Sequence, residues 1–470
     1  MKSKLLLTSI ILASTPLVNA QSDNWQFVST NGFDQSTQNT VPEMEVFQGM
    51  LFASTSPSSG GFAKLWHTEN GESGTWSDNA QFNPPLNMDK SIHSFGSTTL
   101  GGGYIWLGTG SGKGAAIYRS QDGVNWIQIS KRGFGNPELT GAAPHMMVFQ
   151  GSTDSIPYLY AGAGSHGAGA SGQVWRTPYN NTDSSKWSLV VDFATIDAGT
   201  KTITYFEVWQ DKIYFGTDNG GQLWESTDGT FFSQNQGVGN GFDSPGNKVI
   251  SSIEVYQNEL YVSTNNPGQG GQIWKSGDGL NWNFVTKDAF GKGKEAFELR
   301  SLRESFGKLW VTAYTDTAIS TGTPIWRTGD GVQWEQSNED GFGNPNNSGE
   351  NPVTIGFGDY QYFGGPNYKD GGQIWRAKIG NSSLSEKHSE KIFQLYPNPF
   401  HESATLKVNS VLPVDAELLI YDLQGNLIRR EMLSHTTEFQ IRQKNLEPGT
   451  YLLEVNHHDQ KIERMRIIIL

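Results

Sequence analysis

The stretch Gln272-Ile-Trp-Lys-Ser-Gly-Asp-Gly-Leu-Asn-Trp-Asn-Phe-Val285 sets two tryptophans around an aspartate-glycine pair. Indole rings and a carboxylate suit a sugar site, but the stretch is not unique in the chain. It returns as Ala116-Ile-Tyr-Arg-Ser-Gln-Asp-Gly-Val-Asn-Trp126, Gln222-Leu-Trp-Glu-Ser-Thr-Asp-Gly-Thr-Phe-Phe232 and Pro324-Ile-Trp-Arg-Thr-Gly-Asp-Gly-Val-Gln-Trp334. Degenerate copies stand at 65–71 and 174–177, and Gln373-Ile-Trp-Arg376 keeps the first half alone. The leading aromatics Trp66, Tyr118, Trp175, Trp224, Trp274, Trp326 and Trp375 are spaced by 52, 57, 49, 50, 52 and 49 residues. Units of about fifty residues are the period of a β-propeller.

Each unit reads as four short strands, A to D from the axis outward. In one unit these are Ser252-Ile-Glu-Val-Tyr256, Glu259-Leu-Tyr-Val-Ser263, Gln272-Ile-Trp274 and Asn283-Phe-Val285. The seventh unit stops after strand C, at Trp375. Its missing strand stands at the other end of the chain, where Asn24-Trp-Gln-Phe-Val28 matches Asn281-Trp-Asn-Phe-Val285 at all but one position. The pattern predicts an all-β, seven-bladed propeller over 21–379, closed by its N-terminal strand so that no sheet edge stays open.

The Ser/Thr-x-Asp-Gly-x-x-Trp signature resembles the Asp-box of sialidase-type propellers. The resemblance implies a structural hairpin turn on the outer side of each blade, away from the ligand. Turn chemistry agrees, because Asp accepts bonds from its own turn and Gly takes positive φ. Sialidase activity does not follow. That family carries an early Arg-Ile-Pro and three site arginines on six blades, whereas here Arg119, Arg176, Arg327 and Arg376 occupy one repeated slot after the strand C aromatic.

Residues 1–20 read as an export signal, with Lys2 and Lys4 ahead of the apolar run 5–12 and Val18-Asn19-Ala20 as the cleavage site. The chain has no cysteine, so burial and not disulfides must hold an exported fold. A net charge of -13 argues against a nucleic-acid partner, and no later segment is apolar enough to span a bilayer. Residues 380–392 are polar and patternless, a linker. Beyond them, Leu395-Tyr-Pro-Asn-Pro-Phe400, Leu419-Ile-Tyr-Asp-Leu-Gln-Gly-Asn-Leu427 and Leu446-Glu-Pro-Gly-Thr-Tyr-Leu-Leu-Glu-Val455 resemble the C-terminal sorting domain of Bacteroidetes type IX secretion. That resemblance implies a small β-sandwich at 393–470, the type IX machinery as a partner, and a secreted or surface-attached protein; a monomer is expected.

A propeller takes its ligand at the end of the axis lined by the D–A and B–C loops, so residues starting strand A and following strand B converge there. His93 and His145 start two such strands, His166 follows a strand B, Tyr205 starts the next strand A, and Arg300 and Arg303 flank a later one. Asn219 and Asn265 stand in B–C loops, and Glu43, Glu207, Glu254 and Glu298 lie in comparable strands. No HExxH spacing marks a metal site; no cofactor is expected, and a bound metal ion stays open.

Histidines, a tyrosine and arginines suit β-elimination from a uronic-acid polysaccharide. A base takes the proton beside the carboxylate, a cation neutralises that carboxylate, and an acid protonates the leaving oxygen. The pattern resembles the seven-bladed ulvan lyases, which place two histidines about one hairpin apart in one blade, with Tyr and Arg. By position the resemblance carries over to His145 and His166 as catalytic residues and more loosely to Tyr205. Arg300, Arg303, His93, Asn219 and Asn265 are expected to bind an extracellular anionic polysaccharide. A non-catalytic lectin or adhesin is the alternative, although the divergent B–C loops favour one asymmetric site over several equal ones.

Overall fold

The computed structural model describes residues 23–35, 37–78, 82–83, 86, 88–100, 103–139, 141–164, 171–379, 393–396, 400, 402–408, 416–421, 427–433, 438–444, 446–447, 449–457 and 460–469. The expected signal segment, the expected linker and His166 lie outside these residues. So does the side chain of His145.

Asp278 explains the repeated stretch. Its carboxylate accepts the backbone N–H groups of Leu280 and Asn281 at 2.8 and 2.7 Å and the Asn281 amide at 2.7 Å, while Ser276 Oγ accepts the N–H of Gly279 at 2.9 Å. The bond from the Asn281 backbone, with its side-chain amide next, holds the Asp278 carboxyl well below the usual range. Asp122, Asp228 and Asp330 make the same two backbone contacts in their own turns. Each net fixes the hairpin between the third and fourth strands of a sheet.

In the first compact unit the described strands group into seven antiparallel sets of four, with Phe82–Asn83 paired parallel to the outer strand of the second. The first is Met44–Phe47, Met50–Pro57, Lys64–Thr68 and Ser77–Asp78, with Gln38–Thr40 paired beside its second strand. In the second, third and fourth sets the inner strands are Ser91–Thr98, Gly141–Phe149 and Ile203–Trp209. In the fifth, sixth and seventh they are Val249–Tyr256, Glu298–Ser305 and Val353–Phe357. Each inner strand lies beside the next, and the last lies beside the first, so the ring is closed. The outer strand of the seventh set is Trp25–Phe27, which pairs Trp25 with Ala377 and Phe27 with Trp375.

The apolar core runs through the seams between neighbouring sets, and one arrangement recurs there. Ahead of five of the seven sets, a phenylalanine from the preceding loop sits between two tryptophans. Phe242 stacks on Trp274 at 4.7 Å and meets Trp282 edge-on at 5.3 Å. Phe33 does the same with Trp66 and Trp76, and Phe134 with Trp175 and Trp187. Phe290 lies between Trp326 and Trp334, and Phe342 between Trp375 and Trp25. All five phenylalanines have positive φ, between 53° and 60°. That backbone costs about 1–3 kcal/mol in a bulky residue. Burying the ring contributes about 2–3 kcal/mol and each aromatic pair about 0.5–1.5 more, so stacking outweighs the strain.

The turn glycines face the neighbouring set. Tyr160 Oη donates to the carbonyl of Gly229 at 3.1 Å, and a Cβ at Gly229 would fall 1.9 Å from that oxygen. Tyr362 reaches Gly71 in the same way across the closing seam, where Val353, Tyr362 and Ile374 pack on Leu51, Ala53 and Trp66.

The described chain falls into two compact units that divide after residue 380. The second has a sheet of Phe393–Tyr396, Ser403–Val408 and Glu438–Arg442 and another of Ala416–Tyr421, Leu427–Leu433, Gly449–His457 and Gln460–Ile469. Leu406, Leu418, Ile420, Leu453, Val455 and Ile467 form its core.

Candidate functional site

The inner strands are regular at the end nearest the turn to the second strand and irregular at the other. Pairing with the second strand breaks between Ile92 and Ser94, Ala142 and Met146, Ile203 and Phe206, Ile250 and Ser252, and Arg300 and Arg303. A bulge leaves residues unpaired and re-aims their side chains. His93, His145 and Tyr205 lie inside three of these breaks, and Arg300 and Arg303 bound a fourth. In all five inner strands the break lies at the same end, away from the turn to the second strand.

His93 Nε2 is 2.6 Å from Ser91 Oγ, and Gly110 leaves the room for both side chains. Burial, reinforced by the positive Arg300, pulls the imidazole down to about 4, so His93 is neutral at physiological pH. Burial, and next the charge of Glu43, pushes the Tyr205 phenol up to about 12. Burial pushes Glu43 up to about 8 against the pull of Arg303 and Arg300. Arg300 Nη1 is 3.1 Å from Glu298 Oε1, and the other oxygen of Glu298 accepts Asn265 Nδ2 at 2.8 Å. Arg300 is thus within electrostatic reach of His93, Tyr205 and Glu43, with Asn265 tied to it through Glu298.

Asn219 stands apart, whereas Arg303 reaches Glu43 and Tyr205 from greater depth. Asn219 donates to Asp197 at 2.9 Å and braces its own loop together with Gln222. Arg303 lies deeper in the channel, where its guanidinium is 3.3 Å from Glu45 and 3.9 Å from Glu43. At that level the regular register sets Glu45, Glu207, Glu254 and Arg303 opposite Phe52, Tyr214, Tyr261 and Trp310. A cavity of about 280 Å³ opens there, lined by Glu45, Met147, Glu254 and Arg303 among others. Burial raises Glu207 to about 7, and burial followed by the charge of Glu207 holds Glu254 well above the usual range. Glu45 stays anchored by Arg303 and by the Ser97 hydroxyl at 2.7 Å.

Glu207 and Glu254 are among the glutamates expected in the inner strands, whereas Glu45 is not, although the sequence marks all three. Glu45-Val-Phe47, Glu207-Val-Trp209 and Glu254-Val-Tyr256 are one triplet repeated at the end of three inner strands. Among the described residues no three histidine or carboxylate side chains converge as metal ligands, and no described helix is long and apolar enough to cross a membrane.

Residues 394–469 match the family of secretion system C-terminal sorting domains. The chain carries that signal and is exported by type IX secretion to the cell surface or beyond it. No curated protein matches the chain. Among solved structures it is similar to the BP39L lectin from Burkholderia pseudomallei, with TM-score 0.51, 12% identity, and coverage of 77% of this chain and 97% of the lectin. It is also similar to a PL25 ulvan lyase bound to -[GlcA(1-4)Rha3S]-, with TM-score 0.44, 11% identity, and coverage of 74% and 94%. A prolyl endopeptidase aligns with 91% of this chain at TM-score 0.43 and 10% identity, and the chain spans 55% of its length. At identities this low the likeness is one of fold alone.

Proposed function

We propose that the exported propeller binds a uronic-acid polysaccharide at the bulged end of its channel and cleaves it by β-elimination. The observation that carries this reading is the grouping of one cation, Arg300, with the neutral imidazole of His93 and the protonated phenol of Tyr205. In the proposed reaction Arg300 draws the uronate carboxylate and makes the neighbouring C5 proton acidic. His145 takes that proton, the C5 electron pair forms the C4–C5 double bond as the C4–O bond breaks, and the protonated Tyr205 phenol gives its proton to the leaving oxygen. His166 shares the neutralising role, and His93 holds the sugar through the imidazole face not spent on Ser91.

A binding-only mouth is the second reading. It is favoured by the ion pair that already partners Arg300 with Glu298 and by the low basicity of His93. The test incubates the full chain with uronate polysaccharides, ulvan among them, and follows ultraviolet absorbance of the unsaturated product. Elimination predicts an absorbance rise that His145→Ala, His166→Ala and Tyr205→Phe each abolish. Saturable binding without absorbance would establish the lectin, and activity surviving all three substitutions would remove this site assignment.

A further inference from the structure

The loops between second and third strands, at the bulged end of the channel, are not alike around the ring. In the second, fourth and fifth sets they present Ser111-Gly-Lys113, Asp218-Asn-Gly220 and Asn265-Asn-Pro267, without an aromatic ring. The three consecutive sets that cross the closing seam each present one. Tyr314 ends the second strand of the sixth set and packs on Phe297 at 4.6 Å. Tyr368 stands in the loop of the seventh, 39% exposed. Phe62 stands in the loop of the first, 47% exposed.

These rings are held as surfaces. Tyr368 lies over Gly349, where a Cβ would come within 2.6 Å of the ring, and its hydroxyl donates to Glu350 at 3.1 Å. Glu350 in turn acts electrostatically on Arg300 and on Tyr314. On the far side, Asn39 Nδ2 donates to the carbonyl of Tyr368 at 3.4 Å, and the adjacent Gln38 Nε2 donates to the carbonyl of Phe62 at 3.0 Å. The short strand Gln38–Thr40 therefore ties the loops of the last and first sets together, while Glu350 links the Tyr368 loop to Arg300 and Tyr314.

We propose that Tyr314, Tyr368 and Phe62 form a track on which successive sugars of the polysaccharide stack as the chain leaves the mouth. This rests on the reading of the mouth as a polysaccharide site. An aromatic face matches the C–H face of a pyranose, and the fixed backbone of each loop means that little freedom is lost on stacking. The track gives the chain a direction, across the sixth, seventh and first sets, and makes recognition depend on length.

The experiment uses the full-length protein and a size ladder of ulvan oligosaccharides, comparing wild type with Tyr368→Ala and Phe62→Ala and with Tyr368→Phe as the conservative control. Expected is a KM about five- to tenfold higher for the longest oligosaccharides in the alanine variants. The shortest should keep their KM, kcat should hold at every length, and Tyr368→Phe should resemble wild type. Titration of the same ladder by intrinsic tryptophan fluorescence judges the track apart from catalysis. Absence of cleavage, with length-dependent binding that the alanine variants lose, removes elimination and keeps the track. Affinity unchanged in both alanine variants, an equal loss at every length, or no binding to wild type would overturn it.

Discussion

Trp25 packs against Phe342 with ring centroids 5.4 Å apart, and its Nε1 donates to the carbonyl of Ser337 at 3.0 Å. The residue that occupies the outer-strand tryptophan position of the seventh set thus comes from the start of the described chain. Asp23 beside it pairs with Arg327 and accepts the Ser337 hydroxyl at 2.7 Å. Trp25→Ala removes one wall of the Phe342 slot while the positive φ of Phe342 remains. It should lower propeller stability by about 3 kcal/mol, read as a lower urea midpoint. An unchanged midpoint would show that the seventh set holds without its borrowed strand.

Gly71 tests the closing seam from the other side. It has φ +66°, and a Cβ there would fall 2.0 Å from Tyr362 Oη. Gly74, with φ +77° and nothing within 4 Å, shares the backbone conformation without the neighbour. Gly74→Ala should cost about 1–2 kcal/mol from left-handed backbone alone. Gly71→Ala should cost about 1–3 kcal/mol more, and equal losses would mean that the tyrosine moves aside freely.

Asp122 stands for the turns. Its carboxylate accepts two backbone N–H groups and the Asn125 amide at 2.7–2.9 Å. Asp122→Ala should destabilise the propeller by about 1 kcal/mol and leave KM and kcat on polysaccharide untouched. A loss of turnover without loss of stability would move chemistry to a turn that carries none in this account.

The mouth makes stability depend on pH in two opposite ways. Burial raises Glu43 from 4.5 to about 8, so its contribution is complete below pH 4.5 and is lost as pH rises through 8. Burial and Arg300 lower His93 from 6.5 to about 4, so its contribution is complete above pH 6.5 and is lost as pH falls through 4. Glu43→Gln should therefore flatten the alkaline decline between pH 5 and 8 by at least about 1–2 kcal/mol. Part of the decline stays, because Glu207, raised to about 7, titrates in the same window. Nuclear magnetic resonance of the His93 ring should show it neutral until about pH 4, and a midpoint near 6.5 would place it in water.

Much of the scaffold was legible because one hairpin is written repeatedly along the chain. Trp66 to Trp375 marked the period, and the likeness of 24–28 to 281–285 pointed to the borrowed strand. What a strand pattern conceals is the bulge. With strict alternation, Arg300 and Arg303 would face opposite sides of the sheet. Two unpaired residues between them, with Ser301 at φ 52°, let both act on Glu43 from different depths. Nor does anything local show that Phe134 or Phe342 fills a slot between two tryptophans brought from elsewhere in the chain. Glu207 and Glu254 were legible as inner-strand glutamates, but their grouping with Glu45 and Arg303 was not, because a triplet repeated in three units does not show which residues share one level.

The borrowed strand also sets a clock. Trp25–Phe27 has no partner until Gln373–Lys378 has been made and folded, so almost the whole propeller must be synthesised before its first strand can be used. Contacts this distant in sequence form slowly. For a chain exported by type IX secretion, that delay means the ring can finish closing only after its last strand exists, leaving the N-terminal segment available to other handling in the meantime.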